Sequence, residues 1–225
     1  MGVLRPVREA LRRLSTRYDR YHYRPEPFVL IANNCFGGEV YQRFGLPYNS
    51  PFVGLFVPGP DFVRLLADLD GYLAQPLRFP ADAHSEWRWP GATYPLGLLG
   101  DVEIHFVHYA SAEEAAAKWY RRKDRLLRQT DRSRFFYKIC DRDGGSPDVL
   151  RAFHELPLAN KISFGAAGDF GPDHLRVRET DGATVPDGVY LYRAAHDSYN
   201  PLAWITSGRI RSDWYSKLKY RLKLV

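Results

Sequence analysis

The first residues of the chain follow a helical pattern of apolar and basic positions. Arginines occupy half of the places between apolar residues that recur at spacings of three and four. The apolar positions are Leu4, Val7, Leu11, Leu14 and Tyr18. This spacing predicts a basic amphipathic helix at residues 1–24. A second basic segment, residues 209–225, mixes Trp, Tyr and Leu with lysines. Between the two we predict a single domain of catalytic type at residues 25–208.

Within that domain, apolar runs and helical spacings alternate. Short apolar runs predict strands at residues 27–33, 101–109, 134–141 and 160–166, and a loop with a strand at residues 49–57. Helical spacing, with caps at Ser111 and Ser146, predicts helices at residues 37–46, 60–73, 112–127 and 147–156. Residues 75–100 are rich in Pro, Gly and Trp, which indicates irregular or hairpin structure. We therefore predict an α/β or α+β fold, with a central sheet and helices packed against it.

The composition indicates one large folded domain in a reducing compartment. Of the 225 residues, 45% are hydrophobic, which is enough for a sizeable core. The two cysteines, Cys35 and Cys140, have no paired spacing, so neither a disulfide framework nor a zinc site is indicated. No apolar run approaches the ~20 residues of a membrane span, and charges lie where a signal peptide is apolar. We expect a cytoplasmic protein, peripheral at the inner face of the cell membrane.

The net charge of +6 arises from 32 basic and 26 acidic residues, and the basic excess lies at the two ends. In one interpretation, both ends are helices that pack their apolar stripe on the domain. In the other, the basic ends contact an anionic membrane surface, where each Lys or Arg contributes about 1 kcal/mol. We expect no nucleic-acid partner, because no aromatic-rich binding motif accompanies the basic residues.

One cysteine stands where an apolar run meets a predicted helix, in the stretch "IANNCFGGEV". The partial positive charge of a helix start favours the thiolate of Cys35 and lowers its pKa. Gly37 allows a substrate to approach the backbone closely. Asn33 and Asn34 are candidate amide donors for a developing oxyanion. In the other interpretation, Cys35 is a small buried core residue.

A nucleophilic cysteine needs a base, and the predicted strand at residues 101–109 carries two histidines. His105 and His108 are three residues apart, so they point to opposite faces of a strand. His108 is the preferred base because it stands at the strand's end, whereas His105 lies among apolar residues. Asp141 and Asp143 follow the next strand and are candidates to orient the imidazole. Alternatively, the two histidines only form hydrogen bonds and the two aspartates only cap turns.

Other motifs in the chain are weak. The sequence has no Gly-rich phosphate loop, HExxH, GxSxG or nicotinamide fingerprint. The pair Asp141 and Asp143 resembles the metal-binding acids of sugar-nucleotide transferases, but such a short pair is a poor signal, and we predict no metal site. Tyr94, near Trp87 and Trp89, is placed either to stack on a sugar ring or to pack in a loop.

Three segments carry a resemblance to a known family. They are residues 31–57 ("IANNCFGGEVYQRFGLPYNSPFVGLFV"), residues 94–126 and residues 136–144 ("FYKICDRDG"). Over residues 28–166 the chain resembles a bacterial family named exopolysaccharide biosynthesis proteins. The domain that defines this family is catalogued as one of unknown function. That family is similar in layout to papain-like cysteine peptidases. The resemblance implies Cys35 as nucleophile, His108 or else His105 as base, and a fold of papain-like cysteine-hydrolase or transferase character. Phe36 stands where the family commonly has Trp.

The expected function is polysaccharide biosynthesis. We predict a Cys-His dependent acyltransferase, similar to O-acetyltransferases, that modifies a surface glycan or its lipid-linked precursor. No tightly bound cofactor is expected, and acetyl-coenzyme A is the expected acyl donor. Two alternatives are open at this point. One is a glycosyltransferase that uses a nucleotide sugar, and the other is a non-catalytic subunit of a polysaccharide assembly complex.

Overall fold

The computed structural model describes residues 4–225 and contains two sheets. The strands are β1 Val29–Ala32, β2 Leu77–Arg78, β3 Leu96–Leu99, β4 Val102–His105, β5 Phe135–Cys140, β6 Lys161–Gly165 and β7 His174–Arg176. Four strands form a parallel sheet in the order β1-β5-β6-β7, and β2-β3-β4 form a small antiparallel sheet. The predicted α/β class, with a central sheet and packed helices, is confirmed.

Helices surround both sheets. They are α1 Leu4–His22, α2 Phe36–Phe44, α3 Gly59–Ala67, α4 Leu69–Ala74, α5 Ala112–Leu127, α6 Pro147–Glu155, α7 Gly188–Ala195, α8 Pro201–Ser207 and α9 Trp214–Arg221. A short 3₁₀ helix, Arg132–Arg134, precedes β5. Within residues 4–225, no helix combines the length and apolarity needed to cross a bilayer.

The parallel sheet has apolar packing on both faces. Along β5, Phe135 and Ile139 belong to a core shared with α3 to α6 and the small sheet, whereas Phe136 and Cys140 belong to a core shared with α2, α7 and α8. This alternation follows from the two-residue period of a strand. Lys138 stands between Phe136 and Cys140 and points to the same face, toward α2, where it is completely buried.

Several predicted boundaries differ from the structure. The predicted helix at 60–73 is two helices, because Asp68 leaves helical geometry (φ −141°) and its side chain caps α4 by accepting from Gly71 N. The predicted strand at 101–109 ends at His105. Residues 49–57, predicted as a loop with a strand, are irregular throughout except for a single bridge from Phe56 to His105. The Ser111 cap of α5 is confirmed, since its side chain accepts from Glu114 N.

The two basic ends are held on α2 by buried charges. Arg43 Nε donates to Asp19 of α1 at 2.6 Å, and Lys219 Nζ of α9 donates to the same carboxylate at 3.1 Å. All three side chains are nearly or completely buried. The apolar stripe of α1 faces the other way, and both Val7 and Leu14 are more than half exposed. The interpretation that this stripe packs on the domain is therefore wrong, because a polar face makes the contact instead.

Removal of the shared carboxylate should weaken the fold strongly. In Asp19→Ala the charges of Arg43 and Lys219 would lose their partner in a dry site, so we expect the free energy of unfolding to fall by about 3–5 kcal/mol. Urea denaturation measures this change. The matched control is Asp70→Ala, which removes an exposed pair with Arg132 and should leave stability nearly unchanged. Equal effects of the two substitutions would contradict the role assigned to the buried cluster.

Candidate functional site

Cys35 stands at the N-cap position of α2, three residues after Ala32, the last residue of β1. Its side chain makes no capping hydrogen bond, and its sulfur lies 3.9 Å from the carbonyl oxygen of Leu55. The start of α7 presses against the same turn: a Cβ added to Gly188 would lie 2.5 Å from Phe36 N and 2.8 Å from Cys35 N. Glycine is required there because any larger residue would displace the turn that carries the thiol.

Cys35 and His108 line the same cleft, a cavity of about 320 Å³. His108 is exposed and lies in the turn after β4, where its backbone N–H donates to Gly54 O at 3.2 Å. Gly54 has φ +79°, and a Cβ there would lie 3.2 Å from the ring of Tyr109. The structure therefore brings the two preferred residues to one cavity. His108 arrives on a turn rather than on a strand.

His105 belongs to a different environment. It is completely buried and stacks on Phe56, with ring centroids 4.2 Å apart. Its Nδ1 lies 3.0 Å from the Tyr94 hydroxyl and its Nε2 lies 3.3 Å from a carboxylate oxygen of Glu103. Burial, with a contribution from nearby Arg88, lowers the pKa of His105 to about 4. His105 does not line the Cys35 cleft, and the buried Tyr94 is bound to it instead of being free to stack on a sugar there.

The Cys35 thiol is protonated in this environment. Burial is the largest cause that raises the pKa of Cys35 from 9.0 to about 12; the carboxylates of Asp187 and Asp143 contribute to this rise, and Lys138 opposes it. The prediction that the helix start favours a thiolate is wrong for the resting protein. Desolvation and two nearby negative charges outweigh the partial charge of the helix end. Asp187, the N-cap of α7, had no sequence signal that connected it with Cys35.

The two asparagines before Cys35 bind a buried lysine. Lys138 Nζ donates to Asn34 Oδ1 at 2.9 Å and to Asn33 Oδ1 at 3.1 Å, and Asn34 Nδ2 lies 3.3 Å from Cys140 Sγ. Neither asparagine lines the Cys35 cleft. Their predicted role as oxyanion donors does not match this geometry. Lys138 was not identified from the sequence as part of this site. The only sign of it in the sequence was a single charged residue inside the apolar run "FFYKIC".

The predicted acidic pair splits into two roles. Asp141 accepts from Ala166 N at 2.6 Å and from Val185 N at 2.9 Å, so both carboxylate oxygens are engaged by the backbone. Asp143 has φ +58°, and burial raises its pKa. Neither carboxylate forms a hydrogen bond to His108, so the structure does not show them orienting it. Within residues 4–225, no three His, Cys, Asp or Glu side chains are grouped for a metal ion.

Glycines at the start of α2 have different surroundings. Gly37 is buried and faces β1, since an added Cβ would lie 3.6 Å from Ala32 Cβ. Its predicted contact with substrate does not match this position. Gly38, one residue later, does line the cleft, with 3.4 Å between an added Cβ and Val53. A small residue at Gly38 therefore keeps the cavity open beside Cys35.

Basic side chains of α5 form one wall of the cleft. The buried Arg122 donates to Val53 O at 2.9 Å and to Tyr109 Oη at 2.6 Å, and its guanidinium lies 4.8 Å from the Tyr48 ring centroid. Lys118 lines the same wall. Glu39 also lines the cleft, and Lys118 pairs with Glu114. The cleft thus combines a thiol, an imidazole, two basic side chains and one acidic side chain, a set that suits a nucleophilic reaction.

The low pKa of His105 makes stability depend on pH. Because the pKa is about 4 in the folded protein and 6.5 when unperturbed, the unfolded chain binds more protons between these values. The free energy of unfolding should therefore fall as pH is lowered from 6.5 toward 4, by up to about 3 kcal/mol from this group. Urea denaturation at several pH values should show a smaller slope for His105→Gln than for the wild type. Identical slopes would contradict a neutral buried His105.

Comparisons with known proteins match the part of the chain that contains Cys35 and His108. A family model with the description Domain of unknown function (DUF1919) matches residues 7–168, which include both Cys35 and His108. A protein of Haemophilus influenzae described as uncharacterized is 38% identical over 136 residues, or 60% of this chain. The aligned part spans 60% of that relative's length. The helices α7 to α9 lie beyond the part that the family model matches.

Proposed function

We propose that the chain, which belongs to the family described as Domain of unknown function (DUF1919), is a cysteine-dependent acyltransferase acting on a cell-surface glycan or its lipid-linked precursor. One observation carries the proposal: Cys35 and His108 line the same cavity, with the thiol at a helix start. The glycan acceptor rests on the resemblance to exopolysaccharide biosynthesis proteins. The proposal takes from papain-like enzymes only the pairing of a cysteine nucleophile with a histidine base, and it does not extend to their fold.

In the first step Cys35 attacks the carbonyl carbon of an acyl donor such as acetyl-coenzyme A. Because the resting thiol is protonated, His108 takes the proton while the S–C bond forms. The carbonyl oxygen becomes an oxyanion, and it then collapses with loss of the coenzyme A thiolate. His108 returns its proton to that leaving group. The products are an acylated Cys35 and free coenzyme A.

In the second step a sugar hydroxyl attacks the carbonyl carbon of the thioester. His108 accepts the hydroxyl proton as the new O–C bond forms and passes it to the Cys35 sulfur as the S–C bond breaks. The glycan leaves as an ester and the thiol is regenerated. Lys118 and Arg122 bring positive charge to the cavity, which favours both a phosphate-bearing donor and the developing oxyanion.

The acyl-enzyme is the species to detect. On incubation with acetyl-coenzyme A, we expect one acetyl group on Cys35, seen by intact mass and located by peptide mapping. Cys35→Ala should abolish the adduct, and His108→Ala should slow its formation by about 10²–10⁴-fold. The matched controls are Cys140→Ser and His84→Ala, which change the other cysteine and a histidine outside the cleft. Both controls should acylate at the wild-type rate.

A second candidate is a non-catalytic subunit of a polysaccharide assembly complex. The raised pKa of Cys35 favours it, because a protonated thiol is a poor nucleophile without base assistance. In that case Cys35 would stay unmodified with every acyl donor, and His108→Ala would have no effect. The glycosyltransferase alternative has less support, because backbone amides already engage both carboxylate oxygens of Asp141.

A further inference from the structure

The helix α1 exposes a stripe of large apolar side chains. Val7, Leu11, Leu14 and Tyr18 follow one another at spacings of four, three and four, and each is at least 43% exposed. Such spacing places them on one face of the helix. Nothing within residues 4–225 covers this face. Exposed apolar residues scattered singly are ordinary, whereas a continuous stripe marks an interaction surface.

The stripe continues onto α9. Trp214 is 76% exposed, and Leu218 and Leu222 follow it at spacings of four. The Tyr18 ring lies 5.0 Å from Tyr215, and the Tyr215 ring lies 5.9 Å from Trp214. The two helices therefore present one apolar surface. We call it the α1–α9 surface, formed by Val7, Leu11, Leu14, Tyr18, Trp214, Leu218 and Leu222.

The buried contacts of both helices keep this surface turned outward. Asp19 of α1 accepts from both Arg43 of α2 and Lys219 of α9 in the core, and Ser15 Oγ of α1 lies 3.4 Å from Tyr215 Oη of α9. For the apolar stripe to turn inward, each helix would have to rotate and these charges would lose their partners. The buried polar contacts therefore fix the outward orientation of the α1–α9 surface.

Unpaired cations lie on the same two end segments as the α1–α9 surface. Among the side chains described for residues 4–225, the exposed basic residues of the two ends that form no ion pair include Arg8, Arg12, Arg13, Arg17, Lys217, Arg221 and Lys223. An adjacent cavity of about 840 Å³ is lined mainly by basic side chains, with Glu9 and Glu179 as its acidic members. Its basic members are Arg5, Arg8, Arg12, Arg193, Arg221 and Lys223.

We propose that the α1–α9 surface docks the protein on an anionic phospholipid bilayer, with its apolar side chains in the interface and its cations on lipid phosphates. A helix with an apolar stripe, an exposed Trp and basic flanks is suited to lie in the plane of such an interface. A second copy of the chain is a poorer partner, because contact through this surface would bring two sets of cations together. The proposal is independent of the thiol chemistry at Cys35.

Vesicle co-sedimentation tests the docking. The full chain should bind vesicles made of equal amounts of phosphatidylcholine and phosphatidylglycerol, and should not bind vesicles of phosphatidylcholine alone. Binding should weaken at high salt because the cations are screened. Trp214 emission should shift to shorter wavelength on binding, and Trp214→Phe should lose that shift. Vesicle binding is measured without acyl transfer. A protein that does not bind vesicles would therefore contradict the docking proposal and leave the proposed function untouched.

Two substitutions probe the apolar stripe. Leu14→Glu and Leu218→Glu should each reduce the vesicle partition coefficient by at least about tenfold, since each removes an exposed leucine that would enter the bilayer interface and adds a negative charge. The control is Leu127→Glu, which changes a half-exposed leucine of α5 outside the surface and should bind as the wild type does.

Three results would overturn the proposal. The first is no binding to the anionic vesicles, and the second is equal binding to both lipid compositions. The third is a dimer in sedimentation velocity that Leu14→Glu dissociates, without lipid binding by either form. That last result would assign the α1–α9 surface to a second copy of the chain.

Discussion

A buried ammonium group holds the turn that presents the thiol. Lys138 lies in β5, completely buried, and its Nζ binds the side-chain oxygens of Asn33 and Asn34. Its backbone oxygen also accepts from Asn33 N at 3.1 Å, so one residue of the sheet engages the turn at two points. A buried charge is costly unless its hydrogen bonds are satisfied. The turn from β1 into α2, and with it the position of Cys35, therefore depends on this contact.

The helix α2 connects the two regions assigned to function. Cys35 stands at its start and Arg43 lies near its end, about 12 Å away along the helix axis. Arg43 belongs to the buried cluster that holds α1 and α9, whereas Cys35 faces the cleft with His108. A protein docked through the α1–α9 surface would hold its cleft at a set distance from the bilayer. A lipid-linked acceptor is an apt substrate for such an arrangement.

Sequence patterns predicted much of this arrangement. The run into Cys35, the capped α5 and the preference for His108 over His105 all follow from spacing and caps, which are local properties. Contacts between residues far apart in the chain could not be predicted from such local patterns. The approach of Asp187 to Cys35 and the contact of the buried Lys138 with Asn33 and Asn34 join residues far apart in the chain. Burial of Cys35, together with Asp187 and Asp143, raises the pKa of the thiol and so reverses its expected ionisation, against the opposing charge of Lys138. The sequence left open whether the apolar stripe of α1 packs on the domain or faces outward, because a single polar position, Asp19, decides which face packs.

The central claim is that Cys35 rests as a protonated thiol in a cleft shared with His108. The rate of Cys35 alkylation by iodoacetamide as a function of pH, measured in Cys140→Ser so that one thiol is present, tests it most directly. The structure predicts slow alkylation at neutral pH and a rate that still rises at about pH 10, above the range where a free thiol has ionised. Fast alkylation with a plateau near neutral pH would instead show a thiolate, and would contradict the account.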